Sequence, residues 1–356
     1  MKKFILAAVL TLAAFTAFAQ QNSGKGPDFK NRISSGIVTI DTMSDTVEFS
    51  GLYNNTSVEL LSGNVDCGID VTFGLLKPAG LPIQFTDMNI NDWYIEFRPF
   101  DKFTFGIHDL IFTHGSYLPV LDTNIDNGNI GSDITVIYRP IPGIRVGLGY
   151  GIPSFFGEDN YGDEAHPVFN LGADFTYGNK FSIGFSIRDI INNFAAGIYG
   201  EVLAVENLYV TYGYTYNNVS LEMINLMMGG NPQILFDNVE KMILMSENIV
   251  SLGATYKYKK ADFALDFAYG NNNLISENLY YFGTKASYGV TDAIDLGIKY
   301  TVLTDFDGDT YMRINPAVDY SAKSWSCGIG FNCLIANSGS MSEKIMSFPV
   351  YFEFSL

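Results

Sequence analysis

Residues 348–356 read FPVYFEFSL. Successive side chains of an extended strand point to opposite faces. Phe348, Val350, Phe352, Phe354 and Leu356 therefore share one face, and Pro349, Tyr351, Glu353 and Ser355 the other. Five large apolar groups on one side need a cover. In a soluble sandwich the cover is a second sheet; in a membrane barrel it is lipid. The rest of the chain decides between the two.

The same alternation recurs upstream. Cys67, Ile69, Val71, Phe73 and Leu75 alternate with Gly68, Asp70, Thr72 and Gly74, and the rhythm returns at Phe103/Phe105/Ile107, Ile144/Val146/Leu148/Tyr150 and Phe263/Leu265/Phe267/Tyr269. A period of two sustained this long excludes a helical protein. It predicts sixteen strands, within a range of 14–18, and eighteen if an amino-terminal hairpin is added. Short turns (YRPIPGI, YGNKF, YKKADF, YSAKSW) alternate with long links such as 111–132, 152–167 and 217–248. Tight turns on one rim and long loops on the other are the plan of an up-and-down membrane barrel; sandwiches and propellers have no use for it. The expected fold class is thus all-β, a transmembrane antiparallel up-and-down barrel.

Lys2 and Lys3, an apolar run from Phe4 to Phe18 and the small-x-small site Ala17-Phe18-Ala19 read as a signal peptide over 1–19. Residues 20–65 read as a flexible start with room for an extra hairpin or a plug, and 66–356 as the barrel. No later run approaches the length of an apolar membrane helix. The closing stretch resembles the C-terminal strand of bacterial outer-membrane β-barrels, with Leu356 where that family usually ends on Phe. The resemblance implies export to the outer membrane of a diderm bacterium, contact with outer-membrane lipid, and recognition of the last strand by the barrel assembly machinery.

The formal net charge of −17 argues against nucleic-acid partners, which reward basic stripes. Three cysteines form no disulfide framework: Cys327 and Cys333 fall in one strand, roughly 20 Å apart at about 3.3 Å per residue. No cofactor motif is present. His108, Asp109 and Ser116 are the best catalytic candidates, but neighbours on a strand point apart and no protease or lipase motif accompanies them, so the chain reads as a non-enzyme.

The polar face carries Gly, Ser, Thr and Asn among charges. Arg98, Arg145, Arg188, Arg313, Glu96, Asp174, Asp266 and Asp295 are the candidate pore-lining residues, with Lys285 and Lys299 on the same face. Such charges pair across neighbouring strands (Arg188 with Asp174, for example) or form a selective constriction. The longest loop contains Met227, Met228, Met242 and Met245, candidates for a constriction or gate, with Asp237 and Glu240 spaced as a helix start. Asp305, Asp307 and Asp309 are a weak Ca²⁺ candidate, without the EF-hand's closing glutamate. Sixteen or more strands leave an aqueous channel. The expected function is a porin-like passive channel for small hydrophilic solutes, with cation preference from the acidic loops. The alternatives are a gated, substrate-specific transporter and a non-transport adhesin or envelope scaffold; a homo-oligomer is compatible with each.

Overall fold

The computed structural model describes residues 28–41, 46–48, 52–62, 64–76, 88–109, 116–125, 132–151, 168–191, 194–217, 239–272, 277–339 and 341–355. The signal segment, His114, His166, Met227 and Met228 lie outside these residues. The strands are β1 Asp28–Asp41, β2 Thr46–Glu48, β3 Leu52–Ser62, β4 Val65–Leu76, β5 Met88–Phe100, β6 Phe103–Asp109, β7 Ser116–Leu118 and β8 Thr123–Ile125. Next come β9 Ser132–Tyr138, β10 Ile144–Gly151, β11 Val168–Tyr177, β12 Phe181–Arg188, β13 Ala195–Val205, β14 Leu208–Tyr216, β15 Asn248–Tyr258 and β16 Ala261–Asn272. The last are β17 Glu277–Gly289, β18 Ile294–Thr304, β19 Thr310–Ser321, β20 Trp325–Gly330, β21 Asn332–Ser338 and β22 Met341–Ser355. One short 3₁₀ helix, Val239–Met245, precedes β15.

All strands except the small β7–β8 hairpin belong to one antiparallel sheet, and β1 pairs with both β3 and β22, so the sheet closes on itself. Strands β2 and β3 lie along one stave, as do β20 and β21, which makes an eighteen-staved barrel. The break in the latter stave has a local cause. Phe331 interrupts the ladder beside Pro316 of β19, donating its amide to the Pro316 carbonyl at 2.9 Å, while the Pro349 ring of β22 lies against Gly330 from the other side. Proline has no N–H for a ladder, and here two prolines flank one bulge.

The amino-terminal hairpin is part of the wall. Strands β1 and β3 pair over eight register positions, from Asp28↔Glu59 to Ser35↔Leu52, and β1 meets the terminal strand from Lys30↔Ser355 onward. Among the described residues the wall thus includes β1 and β3, upstream of residue 66, and these two staves bring sixteen to eighteen.

Short turns at 101–102, 139–143, 178–180, 206–207, 259–260, 290–293 and 322–324 lie on the rim that holds the two ends of the described chain. At one of them only glycine fits: Gly143 has φ 85° and a Cβ there would stand 2.4 Å from the Thr176 carbonyl oxygen.

Outward-facing side chains are apolar and uncovered. Leu148 is 60% exposed and Leu265 59%, far more than a soluble core allows, so this face meets lipid. Stacked or tilted aromatics mark both rims. Phe103–Tyr138 at 4.9 Å and Tyr320–Trp325 at 5.0 Å stand by the short turns; Tyr150–Phe169 at 5.0 Å and Tyr280–Phe306 at 4.7 Å stand by the long loops. The buried apolar cluster lies elsewhere, inside the barrel.

Candidate functional site

The opposite face of each strand lines the lumen. Two segments from the long-loop side fold against it. The first is the β7–β8 hairpin, from the loop between β6 and β9, which packs on β13, β14, β15 and β16. Its tip is held by one carboxylate: Asp266 Oδ2 accepts the Val120 and Leu121 amides, both at 2.8 Å. Its edge is held by Thr211, whose hydroxyl donates to the Tyr117 carbonyl at 2.6 Å. The wall below is cut away to admit it, because Cβ atoms at Gly253 and Gly283 would collide with Pro119 and Val120. Within the hairpin the Tyr117 hydroxyl donates to Asp122 Oδ1 at 2.5 Å, and this bond, with burial, pushes the phenol up to about 12.

The second segment is the 3₁₀ helix, which packs on β16, β17 and β18. Glu240, almost fully buried, lies 2.6 Å from Arg313 Nε and accepts the Thr301 hydroxyl at 2.8 Å. A carboxylate buried this deeply must be paired, and its partners are both on the inner wall. Gly270 gives the segment room: a Cβ there would meet Ser246 and Ile243.

Between the two segments lies the apolar cluster of Leu118, Leu121, Val239, Ile243, Ile249, Ala268, Tyr281, Leu303 and Leu334, with Met242 packed against it. Lumen walls are normally wet. Here part of the lumen is filled by a dry core that joins both loops to the β15–β19 side of the wall.

The remaining predicted lining residues form separate groups on the inner face. Arg98 bridges Asp66 at 2.5 Å and Glu96 at 2.6 Å near the short-turn rim. Arg145 grips Asp174 through Nε and Nη2, at 2.9 Å and 2.5 Å from Oδ2, in a forked pair. The two stand directly opposite in register, whereas Arg188 faces Ala195 at the far end of β12, so the cross-strand pair is Asp174 with Arg145 rather than with Arg188. Arg188 itself is buried beside the long loops. Asp295 stands opposite Asp319, whose Oδ1 takes the Tyr351 hydroxyl at 2.7 Å. Met245 ends the 3₁₀ helix.

Asp305 caps its own turn. Its Oδ1 accepts the amides of Asp307, Gly308 and Asp309 at 2.8–3.1 Å. Slight burial opposes ionisation, but the amides outweigh it and hold the carboxyl below the usual range. Among the described residues no group of three His, Cys, Asp or Glu side chains is placed to hold a metal ion.

Sequence reasoning missed the 116–125 hairpin as a lumen element. The signal was present in Gly253 and Gly283 on the inner face, but a missing side chain does not say what fills its space.

A closed sheet with a lipid-facing exterior, aromatic rims and a charged lumen entered by loops is the architecture of a transmembrane up-and-down β-barrel. No protein-family model and no curated protein matches the chain. Solved structures do. The chain is similar to Acinetobacter baumannii OccAB4 (9% identity, TM-score 0.58, covering 93% of this chain and 98% of that one). It is similar to the outer-membrane protein opdK of Pseudomonas aeruginosa (12% identity, TM-score 0.55, 93% and 99%) and to Pseudomonas aeruginosa OprD (11%, 0.52, 93% and 95%). At these identities the likeness is one of fold.

Proposed function

We propose that the chain is a passive outer-membrane channel for small hydrophilic solutes, narrowed by two loops seated inside the barrel. The observation that carries this is the fastening of the 116–125 hairpin to the inner wall through Asp266, with the 3₁₀ segment fastened beside it through Glu240. Loops serving an adhesin would project outward; these turn in and bury apolar side chains on the wall. The dry core between them favours a substrate-selective form of the channel over a wide, general one, because it removes lumen cross-section on one side. The chain reaches its place through its signal segment and its last strand. That strand pairs edge to edge with β1 and so closes the sheet.

Cation preference is the finer reading. It follows from acidic loops such as 305–309, whose field extends over about 8–10 Å at physiological salt.

The test is planar-bilayer conductance of the refolded mature chain. Discrete, stable current steps are expected, with a reversal potential in a salt gradient that favours cations. A folded barrel that passes no current refutes the channel; a reversal potential that favours anions refutes the cation preference alone.

A further inference from the structure

The inner wall of β17–β19 carries one arrangement that the fold alone does not explain. Lys285 and Lys299 are directly opposite each other in register. Both point into the lumen, since Phe282, Tyr288, Leu296 and Ile298 beside them are exposed on the lipid side. Facing side chains in such a pair start about 4.5–5.5 Å apart at Cβ, and like charges there are destabilising. Barrel walls usually relieve such repulsion by interleaving acids. Here, among the described residues, neither ammonium has an ion pair or hydrogen bond.

Four of the surrounding acids already hold other groups, and none is within ion-pair distance of either lysine. Glu240 holds Arg313 and Thr301, Asp266 holds the hairpin amides, Asp122 takes the Tyr117 hydroxyl and Asp319 the Tyr351 hydroxyl. Asp262 faces Lys257 in register, and Asp295 sits four residues toward the short-turn rim from Lys299. Around the lysines the wall is low: Ala264 lies opposite Lys285, Ser287 opposite Gly297, and Gly297 opposite Ala317. Asn315, opposite Lys299, has a buried amide oxygen without a partner, and the ends of an amide are interchangeable as donor and acceptor.

From this juxtaposition we infer that Lys285, Lys299 and Asn315 form an oxyanion site in the lumen, suited to a phosphoryl group. The inference rests on the lumen being the solute path. Two flexible ammoniums reaching from facing positions converge on one tetrahedral group, and lysine serves phosphate as a point charge. A phosphate carries close to two negative charges near neutral pH, so one bound group offsets both lysines, where a monocarboxylate offsets one. The low floor of Gly, Ala and Ser leaves space for it. Arg98 and Arg145, by contrast, are already gripped by carboxylates and have less to offer an incoming anion.

The experiment uses the whole refolded barrel, with inorganic phosphate, glycerol 3-phosphate and acetate as probes at matched ionic strength. In planar bilayers, phosphate or glycerol 3-phosphate reduces the chloride-salt current of the wild type, and acetate does so at least tenfold more weakly. In K285Q and K299Q the concentration for half-block rises tenfold or more. Stronger block by glycerol 3-phosphate assigns the site to a phosphorylated solute; stronger block by inorganic phosphate assigns it to the free ion. Unchanged block in the double variant, or equal block by acetate, overturns the proposal.

Thermal unfolding in detergent separates this outcome from failure of the channel reading. Phosphate raises the wild-type melting temperature and leaves the double variant unmoved, whether or not current flows. Without phosphate the double variant melts no lower than the wild type, because its substitutions remove a repulsion. An equal phosphate-induced shift in both proteins also overturns the site.

Discussion

Replacing Asp266 by alanine should release the 116–125 hairpin from the wall while leaving the barrel intact. In the wild type one carboxylate oxygen accepts two backbone amides, from Val120 and Leu121, at 2.8 Å each. A hydrogen bond to a charged acceptor contributes about 1.5–3 kcal/mol net. Two amides sharing one oxygen do not add fully, so the latch stabilises the docked hairpin by about 2–4 kcal/mol. Since 1.4 kcal/mol is a factor of ten, loss of the latch shifts the docked-to-free ratio by roughly thirtyfold to a thousandfold. The Thr211 bond and the packing of Leu118 and Leu121 remain, so the hairpin should exchange between positions rather than leave altogether. Single-channel recording then shows a larger mean conductance with added fluctuation between levels, and external protease cuts the 110–131 loop faster. Asp266→Asn retains an acceptor oxygen and falls between wild type and alanine. Barrel melting changes little, because the ladder hydrogen bonds of β16 are untouched. Wild-type current noise and protease resistance in Asp266→Ala would refute the latch.

Glu240→Gln should loosen the 3₁₀ segment and leave Arg313 buried without its carboxylate, raising conductance noise in the same recordings and lowering barrel melting further than Asp266→Ala does. Gly143→Val places a branched side chain at φ 85° against the Thr176 carbonyl; it should cost about 1–2 kcal/mol or more, read as a lower melting temperature or a reduced yield of folded barrel on heat-modifiability gels. The Asp305 carboxyl is held below its usual range, so its contribution to the 304–310 turn is present above the ordinary carboxylate value of 3.8 and is lost only as pH falls through the lower folded value. Protease resistance of that turn should therefore persist below pH 3.8 in the wild type, while Asp305→Ala is cut readily at neutral pH. Tyr117, raised to about 12, runs the other way: its bond to Asp122 is fully present below the ordinary value of 10.0 and is lost as pH rises from there toward about 12. Tyr117→Phe should remove that pH dependence from hairpin protection measured by hydrogen exchange.

The barrel was legible in the sequence because its physics is local and repetitive. Every stave must present alternate residues to lipid, so Leu148, Leu252 or Phe352 declares its face without knowledge of its neighbour. The first staves were harder to read. In GIVTID and the segment around TVEFSGLY the ladder is interrupted by register shifts at Gly36/Thr39 and Leu52/Tyr53, which break the period of two. The charge pairs were legible as a set of inner-face residues but not as partners, because pairing depends on register. One strand's offset decides whether Asp174 meets Arg145 or Arg188.

The lumen hairpin could not be read at all from periodicity. SYLPVLDTNI has apolar residues that in water would be a loop liability. What makes them tolerable is an acceptor 145 residues away, Asp266, whose own strand context marks it only as one more polar wall position. The same reasoning bears on Lys285 and Lys299. A like-charge pair is invisible until two strands are set in register; then Lys285 and Lys299 face each other with no ion pair or hydrogen bond among the described residues. Long-range register, more than residue type, therefore decides which of the lumen's charges meet.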